Sequence, residues 1–269
     1  MVNKLIKAVI PNVIPFCSAV CLWELCSLLC GAGRFPDLFQ TMQSLISSFL
    51  GDPIIAAQGG GEHGYLPHIV ATIVNFLSGF IPGATGGFLL ALAMAQYPRM
   101  LFVIEPILEF IRALPPLLVI PFALLFFQSG DALIAVTVGA YSAFSVCVYT
   151  LNALRNIPSN YLWLSKLMSA GQAFSMLTVQ IPAIVPELVG GIRVTTVLGL
   201  GIAVVVEYMA APSGIGRVMK FAVSYARVDL IMVGVVWIVL IAFVFDSLAQ
   251  LAFAFTLRWT KRNQMLRLV

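Results

Sequence analysis

Charge is what this chain has least of. Only 10% of its 269 residues are Asp, Glu, Lys or Arg, where a soluble domain carries about a quarter. Apolar residues make up 61%, and the mean hydropathy is +1.01. No packed globule of this size can hide so much apolar surface, because exposed area grows steeply with mass. A hydrocarbon solvent removes that difficulty, so the chain reads as an all-α, polytopic membrane protein. The net charge of +4 is small and scattered, which excludes a nucleic-acid surface. Histidine is equally scarce. His63 and His68 lie at one edge of the chain without metal-ligand spacing. They read as solvated loop residues and leave Ser-His-Asp or Cys-His catalysis without support.

Cysteine is sparse and odd in number, which excludes a disulfide framework. Cys17, Cys21, Cys26 and Cys30 fall in one apolar stretch. At about 100° per residue the first two share a helical face and the other two lie nearly opposite. They cannot close a tetrahedral metal site and read, with Cys147, as small apolar residues. No nucleotide loop is present either. The glycine-rich run at residues 59–64 lacks the following Lys-Ser/Thr and the strand-then-helix setting of a phosphate cradle. It reads as a flexible extracytoplasmic loop. The chain is therefore not expected to be an enzyme, and any ATP hydrolysis would belong to another subunit.

What is present is a series of long apolar runs. At roughly 20 residues per crossing, the sequence predicts six spans in a single transmembrane domain over 1–269, at about 11–29, 68–95, 101–127, 132–154, 181–209 and 230–257. Lys4 and Lys7 precede a stretch with no small-residue cleavage site, so it reads as a retained first span carrying Glu24. Residues 38–50 alternate at helical spacing and predict a short interfacial helix. Residues 159–178 predict a weakly apolar helix outside the membrane. With the N-terminus inside, short loops place Lys4, Lys7, Arg99, Arg155, Lys166, Arg258, Lys261, Arg262 and Arg267 in the cytoplasm. Arg34, Arg217, Lys220 and Arg227 fall outside, so both termini are expected to be cytoplasmic.

Gly79, Gly83 and Gly87 form a stripe that lets a neighbouring helix approach closely. In the third span Glu105, Glu109 and Arg112 lie along one face, and Glu109 and Arg112 can pair. A lone charge in hydrocarbon costs about 2.5–3.5 kcal/mol or more, so such groups face one another, a partner or water. Pro106, Pro115, Pro116 and Pro121 are expected to interrupt this span, which is tolerated where protein or a cavity covers the freed carbonyls. Arg193 and Glu207 in the fifth span raise the same question. For all of these, an internal charge lock and a path-lining role both remain open.

The residues Glu109-Phe-Ile-Arg112-Ala-Leu-Pro115-Pro116-Leu-Leu-Val-Ile-Pro121, with Gly130 closing the span, resemble the third-span signature of binding-protein-dependent ABC importer permeases. The nitrate/sulfonate/taurine subgroup is the most similar. Ile181-Pro182-Ala-Ile-Val-Pro186-Glu-Leu-Val-Gly190-Gly191-Ile-Arg193-Val resembles the segment that follows the family's cytoplasmic coupling helix. Glu207-Tyr-Met-Ala-Ala-Pro-Ser213-Gly214-Ile-Gly216 resembles its fifth-span ending, and Arg258-Trp259 its chain end. The docking loop departs from the pattern. Counting back from Pro182, the family's glycine falls on Ser169 and its Glu-Ala-Ala on Trp163, Leu164 and Ser165. The resemblance implies a type I importer permease in a bacterial inner membrane, acting as a homodimer. It would meet ATPase subunits through Trp163, Lys166, Ser169, Ala170, Gly171 and Pro182, and take a small solute, expected to be an organic or inorganic anion, from an extracytoplasmic binding protein. It would need no cofactor of its own beyond ATP on its partner. An ion-coupled transporter or channel working without an ATPase, and a non-transporting docking subunit, are the alternative expectations.

Overall fold

The computed structural model describes residues 17–31, 33–52, 55–56, 64–127 and 130–256, without the side chains of residues 112, 113 and 256. The start of the first span, the glycine run with His63, the Glu109–Arg112 pairing and the basic chain end lie outside the described residues. Among the described residues the helices are α1 (Cys17–Cys30), α2 (Leu38–Leu50), α3 (Tyr65–Gln96), α4 (Pro98–Ala113) and α5 (Pro116–Ala123). There follow α6 (Gly130–Arg155), α7 (Ser159–Leu167), α8 (Gln172–Ala210), α9 (Ile215–Ser224) and α10 (Val228–Thr256). Of these α3, α6, α8 and α10 are long and apolar enough to cross a membrane. The chain divides into two compact units, Met1–Ala71 with Ser213–Ile238, and Thr72–Pro212 with Val239–Val269.

In the first unit α1 and α2 form a hairpin held by polar groups that hydrocarbon would otherwise strand. Glu24 of α1 accepts the first N–H of α2, from Leu38, at 3.0 Å, placing a carboxylate at a helix N-terminus where the dipole favours it. Asp37 caps the same end by accepting from Gln40 N at 2.6 Å. Trp23 Nε1 donates to Pro36 O at 3.2 Å and Ser27 Oγ to Phe35 O at 3.0 Å. Phe39, Met42, Ile46 and Leu50 stay exposed along one face of α2. Elsewhere in this unit, the buried Tyr65 donates its phenol to Leu230 O at 2.6 Å.

His68 is not a loop residue. It sits 3% exposed within α3, and its Nδ1 accepts from Gly214 N at 3.1 Å. Gly214 precedes α9 with φ 112, a conformation open to glycine, and its N–H needs an acceptor that the new helix cannot supply. The imidazole supplies it.

In the second unit α3 and α6 cross with their backbones in contact. A Cβ on Gly79 would lie 2.7 Å from Ala135 O, and Cβ atoms on Gly83 and Gly87 would collide with the backbones of Gly139 and Ala143. The three glycines spaced four apart on α3 thus interlock with Ala135, Gly139 and Ala143, spaced likewise on α6. Beside it Ala91, Met94, Leu108, Cys147 and Leu151 pack as one buried cluster.

The proline-rich stretch breaks once rather than four times. Pro106 and Pro121 are carried inside α4 and α5. The interruption is at Leu114 (ψ 123) and Pro115 (ψ 124). Each of these precedes a proline, whose ring excludes the α region for its neighbour, so two consecutive prolines force two extended residues.

The helix expected over 159–178 also ends early. Ser169 N bonds Lys166 O at 3.0 Å and Ala170 N bonds Ser165 O at 3.1 Å, the paired bonds of a Schellman stop. Ser169 takes the left-handed position with φ 52. The chain restarts at Gln172 and runs through a π-turn at Met176–Gln180 into Ile181–Ala210. The fifth apolar segment is therefore helical nine residues earlier than its hydrophobicity suggests.

Candidate functional site

Three polar places lie along α8, in the second unit. The first is a cleft of about 370 Å³ lined by Tyr149, Asn152, Arg155, Asn156 and Glu187. Arg155 at the end of α6 donates Nη2 to Glu105 Oε1 of α4 at 2.6 Å. Asn156 Nδ2 donates to Glu187 Oε1 of α8 at 2.6 Å. Both bonds are partly solvent-exposed, so each contributes little stability, but together they tie α4 and α8 to the end of α6.

The second place is a clasp between α8 and α10. Arg193 donates Nε to Asp246 Oδ1 at 2.5 Å and Nη2 to Asp246 Oδ2 at 2.8 Å. Gln250, one turn further on, donates Nε2 to Oδ2 at 2.8 Å. The arginine and aspartate side chains remain 35% and 22% exposed. A planar guanidinium on a carboxylate makes the strong bidentate form of ion pair.

The third place is Glu207, near the other end of α8 and 1% exposed. Its Oε2 accepts from the buried Thr72 hydroxyl at 2.8 Å. Fourteen residues separate Arg193 from Glu207, about 21 Å along a helix, so these two charges do not meet.

The charged residues expected together in the third span are distributed instead. Glu105 is half-buried and pairs across to Arg155, whereas Glu109 is exposed. Pro115 and Pro116 build the α4–α5 break. In the segment expected to dock, Trp163, Lys166, Ser169 and Gly171 are exposed and Ala170 and Pro182 half-buried. Trp163 is 70% and Leu167 79% exposed, with Leu164 and Met168 beside them. That is a large apolar surface for a helix of nine residues.

Asp246, Thr72 and the partnership of Arg155 were not anticipated. Asp246 had a readable signal: it is the lone charge in the body of α10, so Arg193 needed it or something like it. Thr72 had none, since a threonine in an apolar helix usually bonds its own backbone. Among the described residues, no cluster of three or more His, Cys, Asp or Glu is placed to hold a metal ion.

The described residues thus form a helical chain with four helices long and apolar enough to cross a membrane and an exposed apolar segment between two of them. Residues 83–261 match the family described as binding-protein-dependent transport system inner membrane component, and the chain belongs to that family. It is 23% identical over 249 residues to a nitrate import permease protein of Leptolyngbya laminosa, covering 92% of this chain and 88% of that one. It is 22% identical over 193 residues to the taurine transport system permease protein of Escherichia coli, covering 72% and 70%. Its fold resembles a chain of the MetNI methionine ABC transporter, with TM-score 0.56 and 19% identity, over 72% of this chain and 94% of that one. The chain is thus a multi-pass permease of a binding-protein-dependent transport system.

Proposed function

We propose that this chain forms, with a second copy of itself, the path by which an ATP-driven importer takes a small anion into a bacterial cell. The observation that carries this is the exposed apolar surface of α7 and its connection to α8. Trp163, Leu164, Leu167 and Met168 face outward on a segment whose flanking charges favour the cytoplasmic side, where no lipid would cover them. An ATPase groove is the cover that fits, and ATP would be bound and hydrolysed there. The relatives named for nitrate and taurine import support an anion as cargo, delivered by a binding protein on the opposite side. The reading has both termini cytoplasmic and six crossings, with α1 and the broken α4–α5 pair added to the four long helices. The 24 residues of α4 and α5 amount to about 36 Å of helix, enough for a core of about 30 Å.

In this mechanism ATP closes the ATPase pair and displaces α7. The Schellman stop at Ser169 joins α7 to α8 by a four-residue turn, so the displacement passes to a single 39-residue helix. Glu105 and Glu207 act as locks, through Arg155 and Thr72, that keep neighbouring helices moving with it. Exposed Glu109 would border the path at the α4 face. The outcome is rigid-body alternation between two states, biased by ATP.

Co-purification tests the reading. A tagged full-length chain, extracted from its native host in mild detergent, is expected to bring down an ATPase subunit. Leu167→Asp is expected to lose it while remaining monodisperse. Recovery of the wild-type chain free of any ATPase overturns the proposal. Uptake by the chain alone in liposomes, driven by an ion gradient and indifferent to ATP, would establish the ion-coupled alternative.

A further inference from the structure

The Arg193–Asp246 clasp lies well inside two of the helices long and apolar enough to cross a membrane. Arg193 is 17 residues from Ala210 and 12 from Ile181, and Asp246 is 18 from Val228 and 10 from Thr256. At 1.5 Å per residue these spacings are about 15–27 Å of helix. A charge facing hydrocarbon at that depth costs about 2.5–3.5 kcal/mol or more, yet this pair is left 35% and 22% open. Lipid is the wrong neighbour for such a face.

The surface around the pair is smooth. A Cβ on Gly190 or Gly201 would meet nothing within 4 Å, and Val194 and Val197 are exposed between them. Arg193 is the sole cation of α8. Asp246 takes the Nε and Nη2 edge of its guanidinium, which leaves the Nη1 edge available to a second acceptor. A guanidinium carries five N–H donors in a planar fork that matches nitrate, carboxylate or sulfonate oxygens. Gln250 donates to Asp246 and would continue to satisfy that carboxylate when Arg193 leans toward another anion.

We propose that Arg193, poised by Asp246 and Gln250, is the anion-selecting contact of the translocation path and receives an oxyanion on its Nη1 edge. The proposal rests on the importer reading above and names the selecting residue within it. Asp246 neutralises the arginine when the path is empty, which limits how tightly cargo is held. Arg193 is the attraction that favours anions over cations.

The test is thiol accessibility in the full-length chain reconstituted in liposomes, with Cys17, Cys21, Cys26, Cys30 and Cys147 replaced by Ser or Ala and Val197→Cys introduced one turn from Arg193. The probes are methanethiosulfonate reagents of similar size, one bearing a sulfonate and one a quaternary ammonium. Both are expected to react, with the anionic reagent favoured about tenfold after correction for a free thiol, as a single nearby charge provides. Arg193→Gln should bring the ratio close to one, Arg193→Lys should keep most of it, and Asp246→Asn should raise it. Silence toward both reagents overturns the proposal, because the face would then be covered. A ratio unmoved by Arg193→Gln overturns it too. If that variant fails to reconstitute, the Lys and Asn variants decide by the same criteria. No ATPase or binding protein takes part, so a failure here leaves the ATP-driven reading standing, and loss of ATPase co-purification leaves this result standing.

Discussion

Two helix contacts in the second unit join neighbours in opposite ways. The α3–α6 contact is a dry interlock of small residues, with the stripe Gly79, Gly83 and Gly87 against the backbone of Ala135, Gly139 and Ala143. The α8–α10 contact is a polar clasp, half open, in which Arg193, Asp246 and Gln250 are joined by three hydrogen bonds. Close backbone packing has no second arrangement of similar energy, because sliding one helix past the other drives atoms together. An ion pair with an open edge does have one, since its donors can be shared with another anion. On the proposed reading the first contact stays rigid and the second exchanges partners.

The largest expected effect comes from breaking the interlock. Gly83→Val should destabilise the chain by about 3 kcal/mol or more, seen as a fall in thermal unfolding temperature in detergent. Gly86→Ala is its control, since a Cβ there meets nothing within 4 Å. It should stay within about 1 kcal/mol and on the favourable side, because alanine suits helices better than glycine. Equal losses from the two variants would remove the interlock from the account.

Next in size is the clasp. Arg193→Ala and Asp246→Ala should each cost about 2 kcal/mol. Their double variant should cost much less than the sum, with a coupling of about 1–2 kcal/mol in a double-mutant cycle. Strict additivity would mean that the two side chains do not share an interaction. A smaller cost, about 1–2 kcal/mol, is expected for Thr72→Val, which withdraws the hydroxyl from the buried Glu207 carboxylate.

The smallest expected effect is a gain. Ser169→Gly should stabilise the α7 stop by about 0.5–1 kcal/mol, because glycine adopts φ 52 without the penalty serine meets. Unchanged unfolding would show that the serine side chain offsets its own strain.

Much of this was legible in the sequence. The interlock could be read from spacing alone, because three glycines four apart on one helix serve little else. The α2 helix was equally plain from its apolar stripe at helical spacing, while its Asp37 cap emerged only with the fold. Ser169 fell where the family pattern has glycine, and the backbone there takes the left-handed form glycine suits, so the stop outlived the residue. The clasp was half visible. Arg193 announced a buried charge, but its partner lies 53 residues away, and helical periodicity carries no information across that distance. His68 failed for the same reason. Its acceptor role depends on Gly214, 146 residues on, and nothing local distinguishes a buried imidazole from a solvated one at a span's edge. The proline stretch was over-read, since only consecutive prolines force two extended residues, while single ones inside a helix can leave it continuous.

The central claim is that ATP at the α7 surface moves α8 and turns the clasp from one side of the membrane to the other. Reaction of Val197→Cys with the sulfonate-bearing reagent, applied to one face at a time in vesicles of the complete transporter, measures this directly. Without nucleotide the thiol should react from the cytoplasmic face, and with ATP and vanadate from the opposite face. Reaction from the same side at the same rate in both conditions would contradict the account.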